Sequence, residues 1–514
     1  MTRGSSPHSP NPRDADERSR QLRVEFEGLE YHEDDRVQAA TYSMEGSSAE
    51  GWCVTRNGSK HLELGPGYRL LRTDRCGICS TDLDRRFLPF PLPQIIGHEL
   101  IALDAEDQRY VVEINASHRA RGLDVECPFC DAGLVTHCPE RRVLGIHDLP
   151  GGFGPWVLAA ENAVVALPRS LPDDVAVLIE PFAAALHAAE WIDPEPGDTV
   201  AVLGPRRLGL LVVAALAARR RRDSSGFRIL ALSRHDDLGR LALSFGADDA
   251  AHPPGEGGGS GPIADIVVDT TGSPAGLEAA LGLARREVHL KSTHGQPAAG
   301  LAHATELVVD EIALEAWPED ASALRALLAN APCRSGDPPR IAWLAAEAPP
   351  DNLGHTLPVG TDLRVGRDAR ALLEAWEDTP GGRLPRADIG VVDNVEAVDH
   401  VLRPRLPDEI SLVRPRGRIC IRNPQGESGP LVRALCQRGL RLSGSRCGDF
   451  RKALPLLESD SALRACLAQL VTHRLPAHEL PRALRLAREP GCIKIVLAHP
   501  ETEIPWPGKK SGRD

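Results

Sequence analysis

The stretch DTVAVLGPRRLGLLVVAALAAR, residues 198–219, decides the fold. An apolar run short enough for a buried strand, Val200 to Leu203, stops at Gly204, and a longer apolar run suited to a buried helix starts within a few residues. A strand, a tight turn and a helix in that order form the unit on which a doubly wound parallel sheet seats a pyrophosphate at a helix N-terminus. In GPRRLG, Gly204 allows the sharp turn and Gly209 lets the helix pack closely, and Gly204, Arg206, Leu208 and Gly209 are the expected cofactor-binding positions. Arg206 stands where a second glycine belongs. A side chain there obstructs close backbone approach, while a guanidinium can pair with a phosphate.

Outward from this unit the alternation continues. RILALSRHDD, 228–237, reads as the next strand and ends at Ser233 and Arg234, where a carboxylate for ribose hydroxyls is missing. Arg234 beside His235 suits a 2′-phosphate, so NADP is expected ahead of NAD. FGADDA (245–250), ADIVVDTTGSPAGLEAAL (264–281) and VHLKST (288–293) supply further strands and a helix. From about Glu315 the pattern breaks. Pro and Gly clusters separate two expected helices, Ala321 to Asn330 and Arg367 to Glu377, within an insertion over 315–386. ADIGVVDNVEAVDHVLRPRLPDEISLVRPRGRICIRN, 387–423, then repeats the layout of ADIVVDTTGSPAGLEAALGLARREVHLKST. A partial internal repeat and a likeness between two ordinary β-α-β units both fit. The stretch 387–445 reads as a distal segment of the nucleotide fold.

Toward the N-terminus the chemistry changes. Residues 1–36 are rich in Ser, Pro, Arg and Asp and are expected to be a disordered tail. From there VQAATYS, GWCVTRNG and YRLLRTD read as short strands between turns, the mark of a small β-rich domain. CGICSTDLDRRFLPFPLPQIIGHE, 76–99, follows, with a thiol at Cys79, a hydroxyl at Thr81 and the pair His98 and Glu99. A thiolate, an imidazole and a carboxylate suit a tetrahedral zinc with one open position. Cys76 and Cys79 also make a C-x-x-C pair, which a redox or zinc-knuckle motif would share. Farther on, Cys127, Cys130 and Cys138 have C-x2-C-x7-C spacing.

Composition narrows the function. With 514 residues the chain exceeds one core, and 42% hydrophobic with 26% charged residues is the balance of a soluble globular protein. A net charge of -12 argues against a nucleic-acid surface, and Arg219 to Arg222 is too short a basic run to change that. No apolar stretch spans a membrane and no apolar leader opens the chain, so a cytoplasmic location is expected, with the 12 cysteines suited to metal ligation in a reducing compartment.

GICSTD (77–82), GHE (97–99), EPFAAALHA (180–188) and VAVLGPRRLG (200–209), in this order, resemble the zinc-dependent medium-chain dehydrogenase/reductase superfamily. The resemblance covers roughly Ala39 to Gly295 and returns near Leu440 to Leu497. It implies an α/β chain with a GroES-like catalytic domain over 37–190, a Rossmann nucleotide-binding domain over 191–314, a return to the catalytic domain over 446–500 and a tail over 501–514. It implies a catalytic zinc on Cys79, His98 and Glu180, with Glu99 binding it directly, through water or from behind, and Thr81 passing the substrate proton. The family's relay histidine position is Asp84 here, which leaves the proton path open beyond Thr81. A second, structural zinc would sit in a lobe on Asp124, Cys127, Cys130 and Cys138, with His118 as alternative to Asp124. The implied reaction is hydride transfer between a hydroxyl-bearing carbon and NADP or NAD, on a small alcohol or carbonyl substrate, in a homo-oligomer. Arg206 and Asp124 leave one rival open, a relative that has lost redox activity and serves in binding or regulation; a second rival is a zinc-independent NADPH reductase, which the set Cys79, Thr81, His98 and Glu180 disfavours.

Overall fold

The computed structural model describes residues 18–254, 261–292, 295–318, 320–329, 337–351, 353–377, 383–404, 411–422, 429–499 and 506–507. These form two compact units. The first takes in the described residues up to Cys130, then Cys138 to Glu180, and the described residues from Ala468; the second is Asp131 to His137 with Pro181 to Leu467. The first unit therefore ends its central stretch ten residues before the expected boundary at 190, and the chain returns to it near 468 instead of 446. Helices Phe450–Ser459 and Ser461–Ala468 account for the later return: Asp460 between them pairs with Arg221 of the second unit at 2.6 Å.

The first unit is β-rich. Strands Leu22–Tyr31, Val37–Ser47, Gly51–Arg56 and Ser59–Leu64 make one antiparallel sheet in chain order. A second, seven-stranded sheet is centred on Tyr68–Gly77, which pairs antiparallel with Glu99–Leu103, Trp156–Ala160 and Lys494–Ala498. The expectation of a disordered tail over 1–36 needs correction. Residues 1–17 lie outside the described residues, but LRVEFEGLEY is a full strand. Val24 and Phe26 are buried while Arg23, Glu25 and Glu27 face out. That is the period-two alternation of a half-buried strand: Arg23, Glu25 and Glu27 lie on its solvent face, and the one buried charge, Glu30, is paired with Arg56, whose Nη2 donates to Glu30 Oε2 at 2.7 Å.

The second unit is built on an eleven-stranded sheet. Its strands are β1 (Thr199–Leu203), β2 (Arg228–Leu232), β3 (Asp249–Ala251), β4 (Ala264–Asp269), β5 (Ala284–Leu290), β6 (Ala313–Ala316), β7 (Arg340–Trp343), β8 (Asp362–Val365), β9 (Ala387–Val392), β10 (Val413–Ile421) and β11 (Arg441–Gly444). The order across the sheet is β3-β2-β1-β4-β5-β11-β6-β10-β9-β7-β8. Neighbours are parallel except at the centre, where β11 and β6 meet antiparallel at Leu442 and Leu314. The apolar face of β1, the helix Arg207–Asp223 and their neighbours form a continuous core, as the runs Val200 to Leu203 and Gly209 to Ala218 require. The stretch 315–386 is not a separate insertion. Helices Ala321–Ala329 and Ala369–Glu377 form near their expected places, but β7 and β8 between them join the sheet. At four residues each, RIAW and DLRV are too short to show a period in sequence.

Candidate metal and nucleotide sites

The strand register assembles the first site. Cys76 pairs with Leu100 and Gly77 with Glu99, so the chain leaving one strand at Cys79 meets the chain entering the other at His98. The approach of His98 is fixed by Gly97, whose φ of +98° is open to glycine and whose added Cβ would lie 2.7 Å from the Phe153 ring. Gly152 N and Phe153 N donate to Gly97 O and Ile96 O at 2.8 and 3.1 Å and pin the turn. The result is a group in which donor atoms of Cys79, His98 and Glu99 all lie within 4.8 Å of one another, with His98 and Glu99 buried.

Glu180 is not in this group. It sits half-buried in the first turn of helix Ile179–Trp191. The carboxylate beside the sulfur and imidazole is Glu99, which the strand pairing places there. Thr81 Oγ1 lies 3.6 Å from Cys79 Sγ, and Asp84 is exposed, with Arg488 Nη1 3.9 Å away. Cys76 is fully buried, burial pushes its thiol well above the ordinary range, and it stands outside the group.

Two partners went unnamed in the sequence. Asp82 Oδ2 accepts the Cys79 backbone N–H at 2.8 Å, and Asp82 Oδ1 lies 3.3 Å from His98 Nδ1. Burial alone would lower the His98 pKa; the Asp82 carboxylate and the Cys79 sulfur outweigh it and hold the ring well above its usual value. The other partner is Lys494, whose ammonium sits 2.5 Å from Glu99 Oε2 and donates to Ile78 O at 3.1 Å, both side chains being buried. A lone charge inside the apolar strand CIKIVLA was the signal for it. Glu99 Oε1 has no hydrogen-bond partner although it is buried. An orphaned carboxylate oxygen beside a sulfur and an imidazole is what a zinc-sized cation would satisfy, so the residues fit the metal.

The lobe gives a second group. Cys127, Cys130 and Cys138 are joined by His118, all buried and with donor atoms within 4.8 Å of one another, and His118 Nδ1 is 3.5 Å from Cys138 Sγ. Asp124 is exposed and stands outside. The turn explains the choice: Arg121 N donates to Ser117 O and Leu123 N to His118 O, folding the segment back so that His118 meets the thiols. Burial, with Cys130 and Cys127 adding to it, pushes the Cys138 thiol up to about 12. Three sulfurs and an imidazole within reach of one point are a tetrahedral donor set, so this group also fits zinc.

In the second unit, Gly204 closes β1 with φ +79°, and a Cβ there would come within 2.8 Å of Thr271. Arg206 is the N-cap residue of helix Arg207–Asp223, its N–H bonded to Gly204 O at 2.8 Å; no acidic residue occupies the helix's first turn, and Gly209 is buried within it. Leu208 is half-buried beside Arg206 and Arg207. Ser233 is buried at the end of β2 and its Oγ accepts from His235 N at 3.1 Å, while Arg234 is exposed. A helix N-terminus free of its own acids, next to a basic residue at the end of β2, has the charge and the free N–H groups to receive a phosphate.

Polar groups thread the middle of the same sheet, where parallel strands are normally apolar. Lys291 Nζ donates to Ser445 Oγ at 3.2 Å, Ser445 Oγ meets His289 Nε2 at 2.8 Å, His289 Nδ1 meets Ser443 Oγ at 2.8 Å, and Ser443 Oγ donates to Glu287 Oε1 at 2.6 Å. Lys291 can only donate and an ionised Glu287 can only accept, so the chain runs one way and His289 carries its proton on Nδ1. Burial, then Lys291, His187 and Arg441, hold the His289 pKa well below its ordinary 6.5. Burial brings His499 to about 4, against the opposing bond to Gly152 O. Both rings stay neutral when folded, so below pH 6.5 the unfolded chain binds more protons and stability falls as the pH drops. Melting temperature is expected to fall from pH 7 to pH 5 in calorimetry, and His289→Gln to flatten that dependence; an unchanged slope would count against this placement of the ring.

Residues 65–169 match the alcohol dehydrogenase GroES-like domain. The L-threonine 3-dehydrogenase of Rhizobium rhizogenes (strain K84) is 31% identical over 229 residues, 42% of this chain and 63% of the relative. That of Sinorhizobium fredii (strain NGR234) is 31% identical over 168 residues, 31% of this chain and 48% of the relative. The chain thus spans about half to two-thirds of the length of the curated relatives it matches. Among solved structures, an Escherichia coli CFT073 protein described as a short chain alcohol dehydrogenase complexed with NADH shares the fold with a TM-score of 0.51 at 15% identity, over 92% of this chain and 99% of that one. The alcohol dehydrogenase of Thermus sp. ATN1 does so with a TM-score of 0.50 at 16% identity, over 92% and 100%. Residues 65–169 thus form a domain of the alcohol dehydrogenase GroES-like family, and the chain is similar to threonine dehydrogenases over part of its length. No helix among the described residues is long and apolar enough to cross a membrane.

Proposed function

We propose that this protein is an alcohol dehydrogenase of the zinc-dependent type, moving a hydride between a hydroxyl-bearing carbon and C4 of NADP or NAD. The observation that carries the reading is the convergence of Cys79, His98 and the orphaned Glu99 carboxylate, with a hydroxyl at Thr81 beside them. The balance is CH–OH plus NAD(P)+ giving C=O, NAD(P)H and one proton.

Cys79, His98 and Glu99 would hold the catalytic zinc, which when bound polarises a hydroxyl or carbonyl oxygen. Asp82 fixes the imidazole through Nδ1 and the turn through the Cys79 N–H. Thr81 Oγ1 takes the substrate's hydroxyl proton and hands its own onward, so it moves a proton without changing charge. The helix N-terminus at Arg206 and Arg207 binds the pyrophosphate and Arg234 a 2′-phosphate. His118, Cys127, Cys130 and Cys138 would hold a structural zinc. The threonine dehydrogenase relatives and the carboxylate in the ligand set support small polyols, sugars or hydroxy amino acids as substrates.

The test is metal analysis, NADPH fluorescence on binding and a screen of such alcohols with NADP. Zinc, bound nucleotide and alcohol-dependent NADPH formation are expected together; nucleotide without zinc, or neither, would defeat the reading. Arg234→Ala is expected to weaken NADPH by about 10- to 150-fold while leaving NADH unchanged, the loss of one charged phosphate contact being worth about 1.5–3 kcal/mol. Equal weakening of both cofactors in the same titration would remove Arg234 from the phosphate site.

A further inference from the structure

The likeness between 264–293 and 387–423 extends to details that two unrelated β-α-β units would not share. The pairing of β4 with β5 slips between Ala264 and Ile266, and that of β9 with β10 slips between Ala387 and Ile389, the same step of the same Ala-Asp-Ile opening. The aspartate at each slip does the same work: Asp265 Oδ2 accepts Thr199 N, the first residue of β1, at 2.8 Å, and Asp388 Oδ2 accepts Arg340 N, the first residue of β7, at 2.8 Å. Each following helix is capped from its N-terminus, by Ser273 on Gly276 N and by Asn394 on Ala397 N.

The registers then fix every equivalence without further choice. Ile266 corresponds to Ile389 and Thr199 to Arg340; their sheet partners make Val288 correspond to Ile419, and the next strand makes Leu442 correspond to Leu314. Leu442 and Leu314 are also the one pair through which β11 and β6 meet antiparallel, and both are fully buried. A residue paired with its own counterpart lies on a two-fold axis, which is the mark of an isologous contact between two copies of one unit. The helices agree: Ala304–Val309, before β6, packs on β11, and the turn Arg433–Gln437, before β11, packs on β6.

We propose that residues 313–421 are a built-in second subunit. This diverged copy of the nucleotide fold fills the sheet edge at β11 through an isologous pairing, and the protein works as a single chain in place of the homo-oligomer its family resemblance implies. The copy serves as a partner and not as a second nucleotide site. By the same register Ala346 corresponds to Pro205 in the phosphate turn, and there Ala346 N is already bonded to the chain's own Asp393 carboxylate at 2.5 Å, with Trp343 Nε1 closing the turn onto Glu347 O at 2.8 Å. An intramolecular contact forms without the concentration term that separate chains must overcome. The proposal does not depend on the reaction assigned above.

Facing residues of an antiparallel pair have Cα atoms about 4.5–5.5 Å apart, within disulfide reach. The test oxidises the Leu314→Cys/Leu442→Cys variant in an equal mixture of 15N-labelled and unlabelled full-length chains and maps the cross-link by mass spectrometry. A 314–442 link within one chain, with no mixed-isotope product, is expected; mixed links would show that the edge is filled by another chain and overturn the proposal. Sedimentation of the unmodified protein provides the second measurement if the variant fails to fold. A 55.4 kDa species across concentrations is expected, and a dimer that persists on dilution overturns the proposal as well.

Discussion

Replacing Cys79 by serine is expected to remove about one equivalent of zinc per chain and to lower kcat/KM for alcohol oxidation by more than about 100-fold. Even a residue that merely supports a metal ligand costs about 10–100-fold when lost. The thiolate is the softest donor of its group, and a serine hydroxyl neither ionises near neutral pH nor matches the Zn–S preference. The lobe has its own thiols and imidazole, so its zinc is expected to stay, which makes metal analysis of wild type and variant a direct subtraction. Glu180→Gln is the comparison that matters, because Glu180 lies outside the group formed by Cys79, His98 and Glu99. It is expected to keep the metal; full loss of one equivalent in E180Q with retention in C79S would reverse the assignment of the ligand set.

Residues 198–219 betrayed their structure because strand, turn and helix are local: the apolar run stops at Gly204 for steric reasons that act within a few residues. Cys79, Thr81 and His98 were legible for a similar reason, since each lies beside a turn with an adjoining strand. That Glu99, and not Glu180, lies with Cys79 and His98 was not legible. It depends on the register Gly77↔Glu99 between strands some twenty residues apart, and no local preference encodes that. His118 and Asp124 differ in the same way. Spacing along the chain favoured Asp124, but a turn held by backbone bonds at Ser117 and His118 carries the imidazole to the thiols and leaves the carboxylate in water.

The remaining misreadings involve composition overriding pattern. Residues 22–31 carry enough charge to look disordered, yet their apolar residues alternate, and a strand needs only one apolar face when a neighbour covers it. Strands β7 and β8 are hidden by shortness. They are strands because β9 offers β7 a parallel edge and β7 offers one to β8, and that edge exists because the chain carries a second copy of its own nucleotide fold.

Lys494→Met is expected to destabilise the metal-free protein by about 3–5 kcal/mol, the range found when one member of a buried ion pair is removed and the other charge is left behind. Lys494 and Glu99 are 2.5 Å apart and both almost wholly enclosed, so the carboxylate has no water to turn to. Its second oxygen, Oε1, is already without a partner, and deleting the ammonium orphans the first as well. A cation on Cys79, His98 and Glu99 would supply the missing positive charge, so zinc is expected to recover much of the lost stability, and K494M to bind zinc more tightly than wild type by linkage. Calorimetry with and without a chelator checks both halves. Equal losses of melting temperature in the two states would mean that Glu99 does not face the metal, and a loss below about 1 kcal/mol in the metal-free state would mean that the Glu99 charge is solvated or neutralised by another group.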